Sequence, residues 1–509
     1  MHDKFLSKAS ELMPELNETI HRPVELVEAL PDKNALHGVK MINGKYVENL
    51  YSQELQNGDI FTVDFGTHIV GYLTLKIKPV GHQQDSPLRL RLVFGEMPCE
   101  IPDFEYAGTL SSTWIQEEIV NIDVLAEPFT LPRRYAFRYL KVEILGRCTA
   151  YRVKFEDIYC TAVTSSDCSS IEKLNDDMDT MLAKIDEVSI RTLKNCSQEV
   201  YEDGPKRDRR LWLGDLRLQA IADYVTFKNY NLVKRCLYLF AGLPHPDGQI
   251  SSCIFHEPTL SNDSWILNDY SLFFISVLYD YFNETNDLNL LKELWDTAFR
   301  QAEIVSEQID EYGLVKHGQT KYFVDWCEGL DKNTSAQAIA IYTFKQCHAL
   351  ATALNDEKRM SFLEENINVL TKGAVKHLYN NEIGFFESGE RNQLSWHSQI
   401  WMILAGVFEK DANANLLKRL INSDIEIRPR TPYMYHHFIQ ALFDCDMKED
   451  AIKYIKAYWG KMVELCADCF WEVFDPDNLL LSPYNSIQIN SYCHAWSCTP
   501  SYFIRKYLS

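Results

Sequence analysis

A run of about 18 apolar residues, the least that spans a membrane as a helix, is missing from this 509-residue chain. Its opening, Met1–Ile20, lacks the apolar stretch that a secretory leader carries. Positive charge is scarce as well: 51 Lys and Arg face 72 Asp and Glu, a formal charge of −21. Nucleic acid and anionic membrane surfaces need clustered Lys and Arg, so neither partner is expected. A neutral ligand fits this balance better. Fourteen cysteines in a chain this long are too thinly spread for a disulfide framework and read as reduced, mostly buried thiols. The expectation is a soluble, cytoplasmic protein. There is no Gly-rich phosphate loop and no G-x-S-x-G turn, which removes nucleotide and serine-hydrolase chemistry. Cys466 and Cys469 form a C-x-x-C with Cys493, His494 and Cys498 downstream, but no second C-x-x-C follows, so no metal is expected. No cofactor is expected either. His436 and His437 diverge by about 100 degrees on a helix and read as structural.

What the chain does have, from about residue 59 to residue 163, is alternation. Phe61, Val63 and Phe65 alternate with Thr62 and Asp64, and Leu88, Leu90 and Leu92 with Arg89 and Arg91. Leu73, Leu75 and Ile77, then Leu140, Val142 and Ile144, then Tyr151, Val153 and Phe155 repeat the pattern. Period two buries one face per strand, and several such strands between turn residues predict an antiparallel β-sandwich. Residues 1 to 58 read weakly, as a strand or two leading into it. After Ser169 the period becomes helical, as in Met360, Leu363, Ile367, Leu370, Ala374 and Leu378. About twelve such segments are predicted, near 170–195, 209–224, 230–243, 268–285, 288–310, 334–354, 356–378, 393–407, 411–423, 432–445, 447–464 and 490–507. Twelve helices of similar length can close into a barrel of six inner and six outer helices, an (α/α)6 barrel. A helical solenoid would need a repeat of about 34 to 47 residues, and none is found. The expected division is a β-sandwich over residues 1–165 and the barrel over 166–509.

The longer connections between helices are rich in carboxylates and indole rings: 202–215, 255–269, 322–331 and 469–490. In a helical barrel alternate loops gather at one end. Acids and flat apolar rings at one mouth suit a neutral sugar, because rings stack on its C–H faces while carboxylates accept from its hydroxyls. Three segments carry candidate chemistry. In the densest, Tyr201 to Asp215, four acids and four basic residues are interrupted by Pro205, Trp212 and Gly214. In the second, Glu472 stands between Trp471 and Val473, close to Phe470 and Phe474, an apolar setting that raises a carboxyl pKa. The third is His494, opening the last helix.

Taken together, these segments resemble family 78 glycoside hydrolases, the bacterial α-L-rhamnosidases. That family's signature before an inner helix is an Asp, a Pro, an Arg, an acid, a Trp and a Gly-Asp pair. Asp203, Pro205, Arg207, Asp208, Trp212, Gly214 and Asp215 fall in that order. Asp64-Phe65-Gly66, Phe137-Arg138-Tyr139, Asp325-Trp326, Trp459-Gly460 and Trp471-Glu472 are further matches, and the resemblance covers about residues 59 to 507.

The resemblance implies an inverting glycosidase that cleaves terminal α-L-rhamnosyl groups from small neutral glycosides or oligosaccharides. One carboxylic acid protonates the leaving oxygen and a second carboxylate activates water, the two standing about 6.5–9.5 Å apart. By family position Asp208 is the acid and Glu472 the base. Asp203 and Asp215 bind sugar hydroxyls with Arg207 alongside, Trp212 and Trp326 wall the subsite, and His494 supports or touches the sugar. Asp269 and Trp265 are further candidates in another mouth loop. The acid is usually Glu in this family, whereas Asp208 is one methylene shorter, and Arg207 and Arg209 beside it lower the pKa of a carboxyl they approach. Glu202 is therefore the reserve acid. Two alternatives stand beside this reading: the same machinery acting on another sugar, and a sugar-binding protein whose catalysis has lapsed. A binder would have no use for Glu472.

Overall fold

Strands fill the first third of the chain in the computed structural model, which describes residues 2–316 and 321–509. A helix, α1 (His2–Glu11), precedes β1 (Asn17–His21), β2 (Glu25–Pro31), β3 (Val39–Tyr46), the single turn α2 (Glu48–Tyr51), β4 (Ile60–Val80) and β5 (Leu88–Gly95). Then come β6 (Glu117–Ile122), β7 (Phe129–Thr130), β8 (Tyr135–Gly146) and β9 (Arg152–Thr164). All pairs in this sheet are antiparallel, in the order β1-β9-β4-β8-β5-β6, with β2 and β7 also paired to β4 and β3 paired to β2. β4 is long because it serves two long neighbours besides the short pairings with β2 and β7. Its first half pairs with β8 and its second half with β9, so the hydrogen bonds of the two halves are continuous through one strand. The β4–β8 register shifts between Asp64 and Ile69, the kind of bulge that bends a strand. Leu73, Leu75 and Ile77 of β4 thereby share one core with Leu88, Leu90 and Leu92 of β5, Val142 and Ile144 of β8, and Val153 and Phe155 of β9. The alternating residues of the sequence are the inward faces of these strands.

From Thr180 the chain is helical: α3 (Thr180–Cys196), α4 (Leu213–Tyr224), α5 (Tyr230–Gly242), α6 (Asn268–Thr285), α7 (Leu288–Ser306), α8 (Asn333–Leu354), α9 (Glu357–His377), α10 (Trp396–Leu404), α11 (Lys410–Ile421), α12 (Pro432–Asp444) and α13 (Lys448–Ile455). α13 runs through a wider turn at Lys456–Gly460 into α14 (Lys461–Glu464). The even-numbered helices from α4 to α12 form the inner ring, each packed on the next, and both α4 and α12 pack on the C-terminal segment to close it. Burial follows this arrangement. Inner α8 is buried on all faces from Thr334 to Ile341, whereas outer α9 buries little beyond Leu363, Leu370, Gly373 and Ala374. Each predicted helical segment has a helix within it. The last differs most: a turn at Ala495–Ser497 comes before α15 (Pro500–Phe503), which begins at Pro500 because a first-turn residue needs no N–H partner. A second difference lies at the start, where α1 packs its Phe5 and Ala9 into the helical core against α5. Among the described residues no helix is long and apolar enough to cross a membrane.

The sheet region is bound to the barrel by buried polar contacts. Arg138 of β8 grips Asp64 of β4 through two 2.9 Å bonds. Asp468, in a barrel loop, accepts from Thr67 at 3.2 Å, from the His68 backbone and from Arg191 of α3 at 2.7 Å. His68 Nε2 lies 3.0 Å from Glu96, and its Nδ1 lies 2.8 Å from the Asn195 amide of α3. β4 crosses β9 so closely at Gly71 that a Cβ there would sit 2.2 Å from the Thr161 carbonyl oxygen and 2.6 Å from the Ala162 Cα. Backbone cannot yield as a flexible side chain does. Gly71→Ala is therefore expected to cost about 3 kcal/mol of stability, read as a lower urea midpoint; an unchanged midpoint would mean the crossing is looser than described.

Candidate active site

Every inner helix begins at the same end of the barrel, so the long connections 197–212, 243–267, 321–332 and 465–494 converge there. Helix N-termini carry partial positive charge and favour carboxylates. Asp215 and Asp269 occupy the first turns of α4 and α6.

The connection into α4 is a tight turn held by Asp203. Its N–H donates to the Arg210 carbonyl at 3.0 Å, and its Oδ1 accepts from the Arg210 N–H at 3.0 Å. Inside this bracket Asp208 and Arg209 both take the left-handed backbone region, with φ of 61° and 53°. Asp adopts this readily, whereas Arg pays about 1 kcal/mol. The turn leaves Arg207 buried and Asp208 facing a cleft. Lys206 is buried beneath, in contact with Glu100, 3.8 Å from Glu96 and bonded to the Asn490 carbonyl at 2.7 Å. At Gly214 a Cβ would lie 2.4 Å from the Tyr270 ring, so glycine admits that ring against the edge of Trp212.

Arg207 joins the two halves of the site. One terminal nitrogen donates to Glu472 Oε2, the other lies 3.7 Å from Asp208, and Nε donates to the Ile489 carbonyl at 3.0 Å. The guanidinium also lies over the Tyr484 ring, 4.4 Å from its centre. Burial opposes its charge, but Glu472 and the surrounding acids outweigh burial and hold its pKa above the usual value. Glu472 accepts at its other oxygen from the Tyr484 hydroxyl. Burial raises the Glu472 pKa, and Arg207 and Tyr484 only partly reverse this.

Asp203, Asp215 and His494 meet beside this pair. His494 Nδ1 is 3.6 Å from Asp215 and Nε2 is 3.9 Å from Asp203. Burial, and then the charge of neighbouring acids, pushes both aspartates well above the ordinary carboxylate range. Burial and Arg207 hold His494 well below the usual value, so its ring is neutral. The ring rests on Trp496, 4.3 Å between centres. Phe323 centres an aromatic cluster, stacked on Trp496 and edge-on to Tyr270, Trp326 and Tyr433. Trp326 is half-exposed and touches Tyr484, and so forms an outer wall. Asp269 is fully buried and turned to the loop backbone, accepting from the N–H groups of Phe323 and Val324 at 2.9 Å. It positions the loop that carries Phe323 and Trp326. Trp265 is half-exposed, with its ring beside Lys321 and its backbone N–H donating to Asp263 at 3.1 Å.

Glu202 is buried, with Oε1 held by Arg134 of the sheet region at 2.5 Å. Together with Asp208 it lines a cleft of about 670 Å³. Glu472 borders a separate small cavity of about 20 Å³, and the Arg207 guanidinium stands between the two acids.

With this geometry in place, the chain can be set against known proteins. Residues 23–162 match the glycosyl hydrolase family 78 alpha-rhamnosidase N-terminal domain, and residues 177–508 match the bacterial alpha-L-rhamnosidase six-hairpin glycosidase domain. A rhamnosidase from Klebsiella oxytoca, solved with rhamnose bound, is 43% identical, with 99% of each chain covered and a TM-score of 0.96. The chain belongs to glycoside hydrolase family 78. It is a glycosidase of the six-hairpin type. A family 78 rhamnosidase of Bacillus sp. GL1 shares the fold at 18% identity and a TM-score of 0.75, over 92% of this chain and 49% of its own. A Streptomyces avermitilis α-L-rhamnosidase complexed with L-rhamnose does so at 14% identity and 0.67, over 97% and 44%. No curated protein matches the chain in sequence.

Several residues of this family 78 site carry no local signal. Arg134 reaches it from a turn of the sheet region, Tyr484 from an irregular loop, and Tyr270, Phe323, Tyr433 and Trp496 read simply as core aromatics. Tyr484 is the informative one, since its hydroxyl steadies the charged form of Glu472. Tyr484→Phe is expected to lower kcat/KM by about tenfold and to move the acid limb of its pH profile upward, because Glu472 then holds its proton to higher pH. A downward movement would remove the bond from the account.

Proposed function

We propose that this glycosidase cleaves terminal α-L-rhamnosyl groups from small glycosides with inversion, Asp208 protonating the leaving oxygen and Glu472 activating water. The observation that carries the reading is Arg207, which contacts both carboxylates through different nitrogens. One guanidinium's width then keeps their nearest oxygens within roughly 9 Å, an upper bound that falls inside the range of about 6.5–9.5 Å of an inverting pair. Asp208 is favoured over Glu202 as the acid because its side chain is 22% exposed, whereas Glu202 is 1% exposed and bound to Arg134.

A sugar ring has partners to meet here. Asp215 Oδ1, His494 Nδ1 and Trp212 Nε1 are buried and have no hydrogen-bond partner among the described residues. Each such group costs about 1–3 kcal/mol if left unpaired, so hydroxyls that bind them repay desolvation. The raised pKa values of Asp203 and Asp215 let one of the two hold a proton and donate while the other accepts. Trp212, Trp326 and Tyr484 supply flat walls for C–H faces. The bound rhamnose of the Klebsiella oxytoca and Streptomyces avermitilis enzymes supports the choice of sugar. All fourteen cysteines are free, which supports a reducing, cytoplasmic setting. We place the domain division between residues 165 and 166, with α1 as the exception that packs on the barrel.

On 4-nitrophenyl α-L-rhamnoside, Glu472→Gln is expected to lower kcat by two orders of magnitude or more with an unchanged circular dichroism spectrum. Because Glu472 must be ionised and burial raises its pKa, kcat/KM of the wild type falls on acidification while still above the ordinary glutamate range. Asp208→Asn is expected to match the Glu472 loss. Near-normal rates in either variant, or a larger loss in Glu202→Gln than in Asp208→Asn, would overturn the assignment.

A further inference from the structure

Four side chains that take no part in the glycosidase chemistry meet behind the site, where the sheet region joins the barrel. They are His68 from the β4 bulge, Cys196 at the end of α3, Cys469 in the loop that leads to Glu472, and Cys493 beside His494, and all four are buried. Cys469 Sγ, Cys493 Sγ and a ring nitrogen of His68 lie within 4.8 Å of one another, and Cys196 Sγ is 3.9 Å from Cys493 Sγ. Two of the thiols reach backbone only at long range: Cys196 is 3.8 Å from the Asp203 carbonyl and Cys493 is 3.9 Å from that of Thr192. Packing alone accounts for small residues here, as Ala495 shows in the same cluster. It does not account for an imidazole among three sulfurs with a carboxylate behind it.

That carboxylate orients the ring. His68 Nε2 lies 3.0 Å from Glu96 Oε1, while Glu96 Oε2 is fixed by the Tyr492 N–H at 2.8 Å. A carboxylate so placed keeps a proton on Nε2 and turns the Nδ1 lone pair toward another partner. Nδ1 lies 2.8 Å from the Asn195 amide nitrogen, which is also 3.7 Å from Cys469 Sγ, so one amide group bridges two electron-pair donors. Asn195 and His68 border a groove of about 310 Å³ between β4 and α3, which gives the amide room to turn aside and an ion a way in. We propose that His68 Nδ1 and the sulfurs of Cys196, Cys469 and Cys493 bind one zinc ion in a closed structural site. Sulfurs bound at about 2.3 Å to a tetrahedral zinc stand about 3.8 Å apart, close to the 3.9 Å between Cys196 and Cys493. Binding releases the three thiol protons to solvent, neutral His68 contributes its lone pair, and no position is left for water. The ion ties the segments that carry Glu472 and His494 to the sheet region and to α3. Ligands drawn from positions 68, 196, 469 and 493 form no spacing motif, which is why the sequence predicts no metal.

The test uses the full chain, produced in zinc-supplemented medium, kept reduced and freed of loosely held metal by desalting. Elemental analysis is expected to find about one zinc per chain. Stripping with a chelator is expected to lower Tm by at least about 5 °C, and zinc chloride alone to restore it. Cobalt(II) in its place is expected to give the charge-transfer absorption of a tetrahedral thiolate site. Cys469→Ala and Cys493→Ala are expected to retain less than about 0.2 zinc per chain, while Cys466→Ala, which removes the exposed member of the C-x-x-C, retains about one. Should a ligand variant fail to fold, zinc content, Tm and the cobalt spectrum of the wild type still decide. Wild type holding less than about 0.2 zinc with a Tm indifferent to the metal overturns the site. So does a cobalt spectrum without the thiolate band, or metal lost in Cys466→Ala and kept in Cys493→Ala.

Discussion

Arg207 is the contact on which the site depends. A buried guanidinium is expensive to desolvate, by several kcal/mol, unless its donors are met. Here they are met by Glu472, by the Ile489 carbonyl at 3.0 Å and by the nearby Asp208 at 3.7 Å. The same cation therefore serves two ends. It favours the charged form of Glu472 against the pull of burial, and it ties the connection before α4 to the loop after α14, segments more than 250 residues apart. Removing it would leave Glu472 buried and uncompensated, at a cost of about 3–5 kcal/mol.

The sheet region works as a brace for this arrangement. Glu100, after β5, meets Lys206, the residue before Arg207, and Glu96 accepts from the Tyr492 backbone N–H at 2.8 Å. His68 and Asn195 link Glu96 onward to α3, while Asp468 collects the β4 bulge and Arg191. Arg134 crosses to Glu202 in the same way. The two loops that carry Asp208 and Glu472 are irregular, and irregular backbone holds a fixed shape only when its polar groups are tied. These buried ties come from the sheet. A barrel alone would leave the Lys206 ammonium with the Asn490 carbonyl but without the two carboxylates, Glu96 and Glu100, that the sheet region brings to it.

Much of this architecture is legible in the sequence because period two and period 3.6 are imposed by burial. Leu88, Leu90 and Leu92, or Leu363 and Leu370, have to face inward wherever they form strand or helix. The ordered run from Asp203 to Asp215 pointed to a site for a similar reason: Gly214 and Pro205 are choices of backbone shape, and Gly214 does admit the Tyr270 ring. Other features are set by long-range contact and leave no periodic trace. α1 buries only Phe5 and Ala9, too few to stand out, and the break before Pro500 follows from loop 484–494 being used to enclose Glu472. Asp269 carries a second task that the sequence does not show. An acid at a mouth suggests a ligand contact, yet both of its oxygens are occupied by backbone N–H groups of its own and the neighbouring loop.

The central claim is that two carboxylates, held apart by one arginine, act from opposite faces of a sugar. Proton NMR of the sugar first released from an α-L-rhamnoside, recorded before mutarotation, reads this directly. The account predicts the β anomer as the initial product. An initial α anomer would contradict it, because the second carboxylate would then have bonded to the sugar instead of activating water.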